Sequence, residues 1–182
     1  MQTEVAVQDT QRWLERAVIG LNLCPFAKAV YTKGQIHFAV STAGEPAQLL
    51  DDLARELDEL VAADPEVRDT TLLIAPHCLH DFLQFNAFVA RAERLLRRGG
   101  HEGVIQLASF HPDYRFAGAQ EEDVGNCTNR APYPTLHLLR ERSVERAVQA
   151  FPDPARIYEA NIETLRRLGT VGWAALGVGP SS

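Results

Sequence analysis

The chain has 182 residues, 46% of them hydrophobic and 23% charged, the balance of a globular protein rather than a disordered or fibrous one. A net charge of −6 and a pI near 5.5 argue against a general nucleic-acid field, so nucleic acid is not an expected partner. No run approaches the roughly 20 apolar residues of a spanning helix, and no membrane partner is expected either.

In chain order, a first helix is predicted from about Val7 to Leu21, with Trp13, Leu14, Ala17, Val18 and Leu21 as its buried stripe. The chain then turns through Leu23-Cys24-Pro25-Phe26, where Pro25 can open a new helical turn with Cys24 just ahead of it. Gln35 to Val40 alternates as a strand, with Ile36, Phe38 and Val40 on one side. Pro46 suits the first turn of a second helix carrying Leu49, Leu50, Leu53, Leu57, Leu60 and Val61, stopped by Asp64-Pro65. Thr70 to Ala75 reads as a central strand. His80 or Asp81 starts a long helix with Phe82, Phe85, Phe88, Val89, Ala92, Leu95 and Leu96 inward, ended by Gly99-Gly100.

Val104 to Phe110 is a third strand, a polar loop follows to about Pro134, and Thr135 to Leu139 is a fourth. One closing helix starts near Ser143. The other takes Asp153 as N-cap, Pro154 as its first residue and Gly169 as terminator. This order predicts an α/β (or α+β) fold: a single sheet of about four strands covered by helices, with two C-terminal helices. One domain is expected over residues 1–176, with a tail at 177–182 that frays.

Residues Met1 to Val5 lack the basic start and apolar stretch of a secretory signal. Cys24, Cys78 and Cys127 are odd in number and widely spread, so they read as reduced thiols and the expected compartment is the cytoplasm. Arg91, Arg94, Arg97 and Arg98 cluster at helical spacing around Glu93 and read as a solvated face.

Chemistry is expected in the loop from His111 to Pro134 and the strand after it, because long ordered loops cost chain entropy and tend to carry function. The loop holds His111, Tyr114, Arg115, Asn126, Asn129, Arg130 and Tyr133, and leads to His137 and Arg140. The competing reading is a rim stitched by Asn and Arg bonds to its own backbone. If the third and fourth strands are neighbours, His111 and His137 could share a pocket as metal ligands or as an acid–base pair. No HxH, HExxH or CxxC spacing supports a metal, and a buried histidine satisfied by a carbonyl is the plain alternative. Cys24 at a helix start would meet unpaired amides that favour its thiolate, with Lys28 one turn on, and Cys-Pro is also a haem-thiolate context. Against that stands a small buried hydrophobe, the reading also given to Cys78 and Cys127. Arg115, Arg130 and Arg140 suggest an anionic small molecule held by planar paired bonds, or else salt bridges to Glu121, Glu122, Asp123 and Glu141.

Three runs are familiar: Gly20 to Ala27, Gln106 to Phe116 and Asn129 to Glu141. They resemble a bacterial family catalogued as domain of unknown function 1415, a likeness covering nearly the whole chain. The resemblance implies a small bacterial protein and brings no reaction or cofactor with it.

The leading expectation is an enzyme acting on an anionic small molecule. Its pocket would join the Cys24 corner, the His111–Tyr133 loop and the His137 strand. His111 and His137 would bind a redox metal or haem, as in an oxidoreductase, or act as acid and base. Arg115, Asn129, Arg130 and Arg140 would hold the substrate, and Tyr114 or Tyr133 would donate a hydrogen bond. The alternatives are an enzyme with Cys24 as nucleophile and a non-catalytic protein binding a small ligand or haem.

Overall fold

The computed structural model describes residues 2–150 and 154–181. The chain enters through α1 (Gln2–Trp13), which widens into a π-helical stretch (Leu14–Ile19), and then forms a short α2 (Ala27–Thr32). The wide turns are closed by bonds such as Leu23 N–H to Val18 O, and this i→i+5 pitch lets Trp13, Leu14, Ala17 and Val18 all be buried. Strands and helices then alternate: β1 (Ile36–Val40), α3 (Pro46–Ala62), β2 (Thr70–Ile74), α4 (Phe82–Arg98) and β3 (Ile105–Phe110). A loop containing a 3-10 turn at Val124–Asn129 leads to β4 (Thr135–Arg140), α5 (Glu141–Ala150) and α6 (Pro154–Ala175). The mixed α/β class, the four-strand sheet and the two C-terminal helices agree with the pattern read from the residues.

The sheet order is β1-β2-β4-β3. β1 and β2 are parallel, and β4 runs antiparallel to both β2 and β3. The register gives each face its own rows. Ala39, Leu73, Leu136 and Ser109 align on one face, and Phe38, Leu72, His137 and Ala108 on the other.

The first face carries the largest core. Leu49, Leu53, Leu57 and Leu60 of α3 and Phe85, Phe88, Ala92 and Leu96 of α4 pack there on Leu73, Ile105, Leu136 and Leu138. Their spacing of three and four residues makes one apolar stripe per helix, and each fully buried large side chain contributes about 1.5–3 kcal/mol. Asp81 caps α4 by accepting from Gln84 N–H at 2.8 Å, as its position predicts. On the second face, Trp13, Leu14, Ala17 and Val18 pack with Ile36, Phe38 and Phe110. Trp13 meets Phe110 edge-on, with centroids 5.2 Å apart.

Gly169 takes φ 70° and ψ 174° inside α6, a left-handed conformation natural to glycine. It therefore ends one helical segment, as expected, but a second segment continues to Ala175. Leu165 before the kink packs with Leu23 and Cys127. Trp173 after it reaches the cluster around Trp13. Asp153, the expected N-cap, lies outside the described residues.

The tail expected to fray is instead held along α1. Asp9, fully buried, accepts from the Tyr133 hydroxyl at 2.6 Å, from Ser181 N–H at 2.8 Å, and from Arg12 and the Ser181 hydroxyl at 2.6 Å each. Arg12 also donates to Gly177 O and Gly179 O, and Arg16 to Leu176 O. A buried carboxylate must be saturated with donors, and the tail supplies two of them. Burial pushes the Asp9 carboxyl up, but these bonds outweigh it and hold the group below its ordinary range. Among the described residues no helix is long and apolar enough to cross a membrane.

Candidate functional site

The second face is incompletely covered. Between it and α2 and α5 lies a cavity of about 350 Å³. Ile36, Thr70, Leu72, His137 and Leu139 line it from the sheet, Trp13, Leu14 and Val18 from the entering helix, and Val144, Ala147 and Val148 from α5. α5 follows β4 without a linker. Its apolar residues therefore stand over the strand that carries His137.

His137 is the polar centre of this wall. Its Nε2 lies 2.6 Å from the Thr70 hydroxyl, and that hydroxyl also bonds Leu138 O at 2.7 Å. A carbonyl only accepts, and a hydroxyl has one hydrogen to give. The Thr70 hydrogen therefore goes to Leu138 O, and His137 donates from Nε2. This network assigns the Nε2–H tautomer and leaves Nδ1 with a free lone pair, with no hydrogen-bond partner among the described residues. Desolvation pulls the imidazole pKa down to about 4, so it is neutral at pH 7.

Most other polar groups of the cavity are engaged. The Ser143 hydroxyl donates to Asp69 at 2.6 Å, Arg146 donates to the Ser143 hydroxyl at 3.0 Å, and the Gln35 amide donates to Glu66 O at 3.0 Å. Cys24, a free half-buried thiol, also lines the cavity, so the Cys24 corner and the His137 strand do meet at one site. Pro25 and Phe26 do form a turn just after Cys24, closed by Ala27 N–H to Cys24 O at 3.2 Å, but the turn precedes the helix. α2 begins at Ala27 with Phe26 as its cap, so Pro25 lies outside the helix and Cys24 stands two residues ahead of the cap.

His111 is elsewhere. β3 and β4 are neighbours, as a shared pocket requires, but the register puts His137 opposite Ala108 and Phe110 opposite Thr135. Side chains alternate along a strand, so residue 111 follows Phe110 onto the opposite face. There its ring, fully buried, packs on Phe85 and Phe82 of α4 at 5.0 and 5.4 Å. Nδ1 accepts from Asp113 N–H at 3.0 Å, so Nε2 carries the hydrogen it gives to Leu79 O at 3.0 Å. Burial lowers its pKa, opposed by the bond to Leu79. Both nitrogens are spent, and the two histidines form neither a metal pair nor an acid–base pair. This donor set does not fit a redox metal or haem shared by His111 and His137. Among the described residues no group of three or more His, Cys, Asp or Glu is placed to hold a metal ion.

The arginines expected to clamp an anion are likewise apart. Arg140 lies against the first face and donates to Leu60 O at 2.5 Å, Ala63 O at 2.8 Å and Arg68 O at 3.1 Å. It thereby adds a donor to carbonyls at the end of α3 and in the turn after it. Arg130 donates to Tyr114 O at 3.3 Å and Glu121 O at 2.9 Å, and exposed Arg115 lies 3.9 Å from Glu121. Asn126 donates to Gln120 O and accepts from Phe116 N–H, and Asn129 donates to Ser109 O. The loop is thus stitched to its own backbone, the plainer of the two readings.

Tyr114 packs against Phe82 and Phe116. Burial raises its phenol, opposed by a bond with Asn129. Tyr133 is pushed up to about 12 by burial and by the Asp9 carboxylate it bonds. Cys78 and Cys127 are buried, and burial raises both thiols. Sequence reasoning missed Thr70, whose only signal is a hydroxyl at the start of a strand buried at every position.

The chain belongs to the family described as protein of unknown function (DUF1415), whose model matches residues 5–175. No curated protein and no solved structure matches it.

Proposed function

We propose that this protein binds a small, mainly apolar molecule in the cavity beneath α5, oriented by one hydrogen bond to Nδ1 of His137. The observation that carries the reading is a neutral imidazole, fixed by Thr70, with one free acceptor in a mainly apolar wall. The charged side chains of that wall without a bond among the described residues, Lys33 and Glu66, are exposed. The ligand class follows from that acceptor: an apolar body bearing one O–H or N–H donor, such as a phenol, an alcohol or a protonated acid. A carboxylate brings no hydrogen to Nδ1 and loses its solvation on entry. Ligand pockets run from about 300 to 1,000 Å³, so the cavity of about 350 Å³ suits a compact molecule. The same lone pair can take the ligand's proton, which is where acid–base chemistry would begin.

The test is titration with 1-naphthol and with naphthalene, followed by tryptophan fluorescence, since Trp13 lines the cavity. We expect naphthol to bind about tenfold tighter, the worth of one hydrogen bond in a dry site, and the difference to vanish in His137→Leu. Failure of both probes to bind, or an unchanged preference in the variant, would overturn the proposal.

A second reading rests on Cys24 lining the same cavity. Its thiol would be a nucleophile with His137 as base. Alkylation of Cys24 by iodoacetamide that slows in His137→Gln supports it. Equal rates in the two proteins remove it.

A further inference from the structure

A groove of about 510 Å³ lies on the far side of the molecule from the His137 cavity, between α3 and α4. Leu50, Ala54 and Leu95 form its apolar floor, and Arg91, Arg94 and Arg98 line it from α4. The three arginines are exposed, and no described residue gives any of them an ion-pair or hydrogen-bond partner. The acid that also borders the groove, Asp58, stands 3.2 Å from Nε2 of His101. Gly99 makes that closure feasible, because a methyl group there would come within 2.8 Å of the His101 ring.

In a chain of net charge −6, three unneutralised guanidinium groups along one wall have a cost, since like charges at helical spacing repel. Helix-end electrostatics explains cations in the last turn, where Arg97 and Arg98 lie. Arg91 and Arg94 sit further back. At about 1.5 Å of rise per residue, the span from Arg91 to Arg98 is about 10 Å. That length suits an anion with two or three charged groups better than a single one.

We infer that this groove binds a multivalent oxyanion, held by Arg91, Arg94 and Arg98 through paired guanidinium–oxygen bonds. The anion site expected from the sequence therefore moves from the loop arginines, which are bonded to carbonyls, to arginines of α4 that are not. Phosphoryl and carboxyl groups present the same chemistry to a guanidinium, and the test separates them.

The protein is titrated calorimetrically with tripolyphosphate, citrate and sulfate, at low and at raised salt. Tripolyphosphate or citrate should bind more tightly than sulfate, and raised salt should weaken the binding. Arg91→Ala with Arg94→Ala should reduce affinity by about tenfold or more. Both positions are exposed on a helix, and relief of like-charge repulsion favours the fold, so the melting temperature of the double variant should not fall. Whichever of tripolyphosphate and citrate binds better names the source chemistry. Equal affinity in wild type and double variant, or no preference over sulfate, would overturn the inference.

Discussion

The sheet has two apolar faces, and their covers differ in length and continuity. On one, α3 and α4, 17 residues each, lay unbroken rows of Leu and Phe against the strands. On the other, α1 and its π-helical stretch cover only part of the strands, with Trp13, Leu14, Ala17 and Val18, while α2 has six residues and α5 offers Val144, Ala147 and Val148 over a cavity. Apart from exposed His37 at the edge of the first face, each face holds one histidine within its layer, and the two fare differently. His111 lies in the filled layer with both nitrogens bonded, while His137 lies at the hollow with one nitrogen free. Residue type is the same in both places. The completeness of the packing around it decides which imidazole is available to a ligand.

The comparison can be broken most directly by deletion on the filled side. Phe85→Ala should cost about 3–5 kcal/mol in urea unfolding. Leu139→Ala, at the cavity wall, should cost distinctly less, because the lost carbons already border empty space. Equal costs would mean that the faces are packed alike.

The next effect is in pH. His137 has a pKa of about 4 in the folded protein against 6.5 ordinarily, so between those values the unfolded chain binds the extra proton. Stability is then full above pH 6.5 and falls as the pH drops toward 4, by up to about 3 kcal/mol. His137→Gln should flatten that slope, leaving the part due to His111 and His37, which burial lowers too.

Replacing His111 sharpens the contrast further. His111→Leu should cost about 2 kcal/mol, because buried Leu79 loses the partner of its carbonyl. The smallest effect belongs to Val148→Ala, within about 0.5 kcal/mol, since this side chain is already 38% exposed. Chemical denaturation measures both, and a large Val148 effect would show that α5 is a sealed cover.

The elements were legible because their apolar stripes repeat at helix or strand period, and because Asp81, Pro46 and Gly169 are residues with fixed habits at helix ends. The site was less so. Whether His111 and His137 share a face depends on the β3–β4 register, and a shift of one residue reverses it. A tight hairpin would have set that register; here a long loop joins the strands, and the residues between them do not encode it. The arginines were visible, but not the carbonyls that use them. The acceptors of Arg140 come from Leu60, Ala63 and Arg68, 72 to 80 positions earlier. Thr70 passed as an ordinary strand former, and a cavity, being a lack of contacts, leaves no motif.

The clasp at Asp9 bears on how the chain is made. Asp9 and Ser181 are 172 positions apart, yet two of the donors to this buried carboxylate come from Ser181. During synthesis α1 emerges well before Ser181, so the buried carboxylate lacks two of its donors until the intervening residues have been translated. Domains otherwise tend to fold from the leading end as they emerge. Here an early helix depends on a residue made 172 positions later, and until then water must serve Asp9 in place of those two donors.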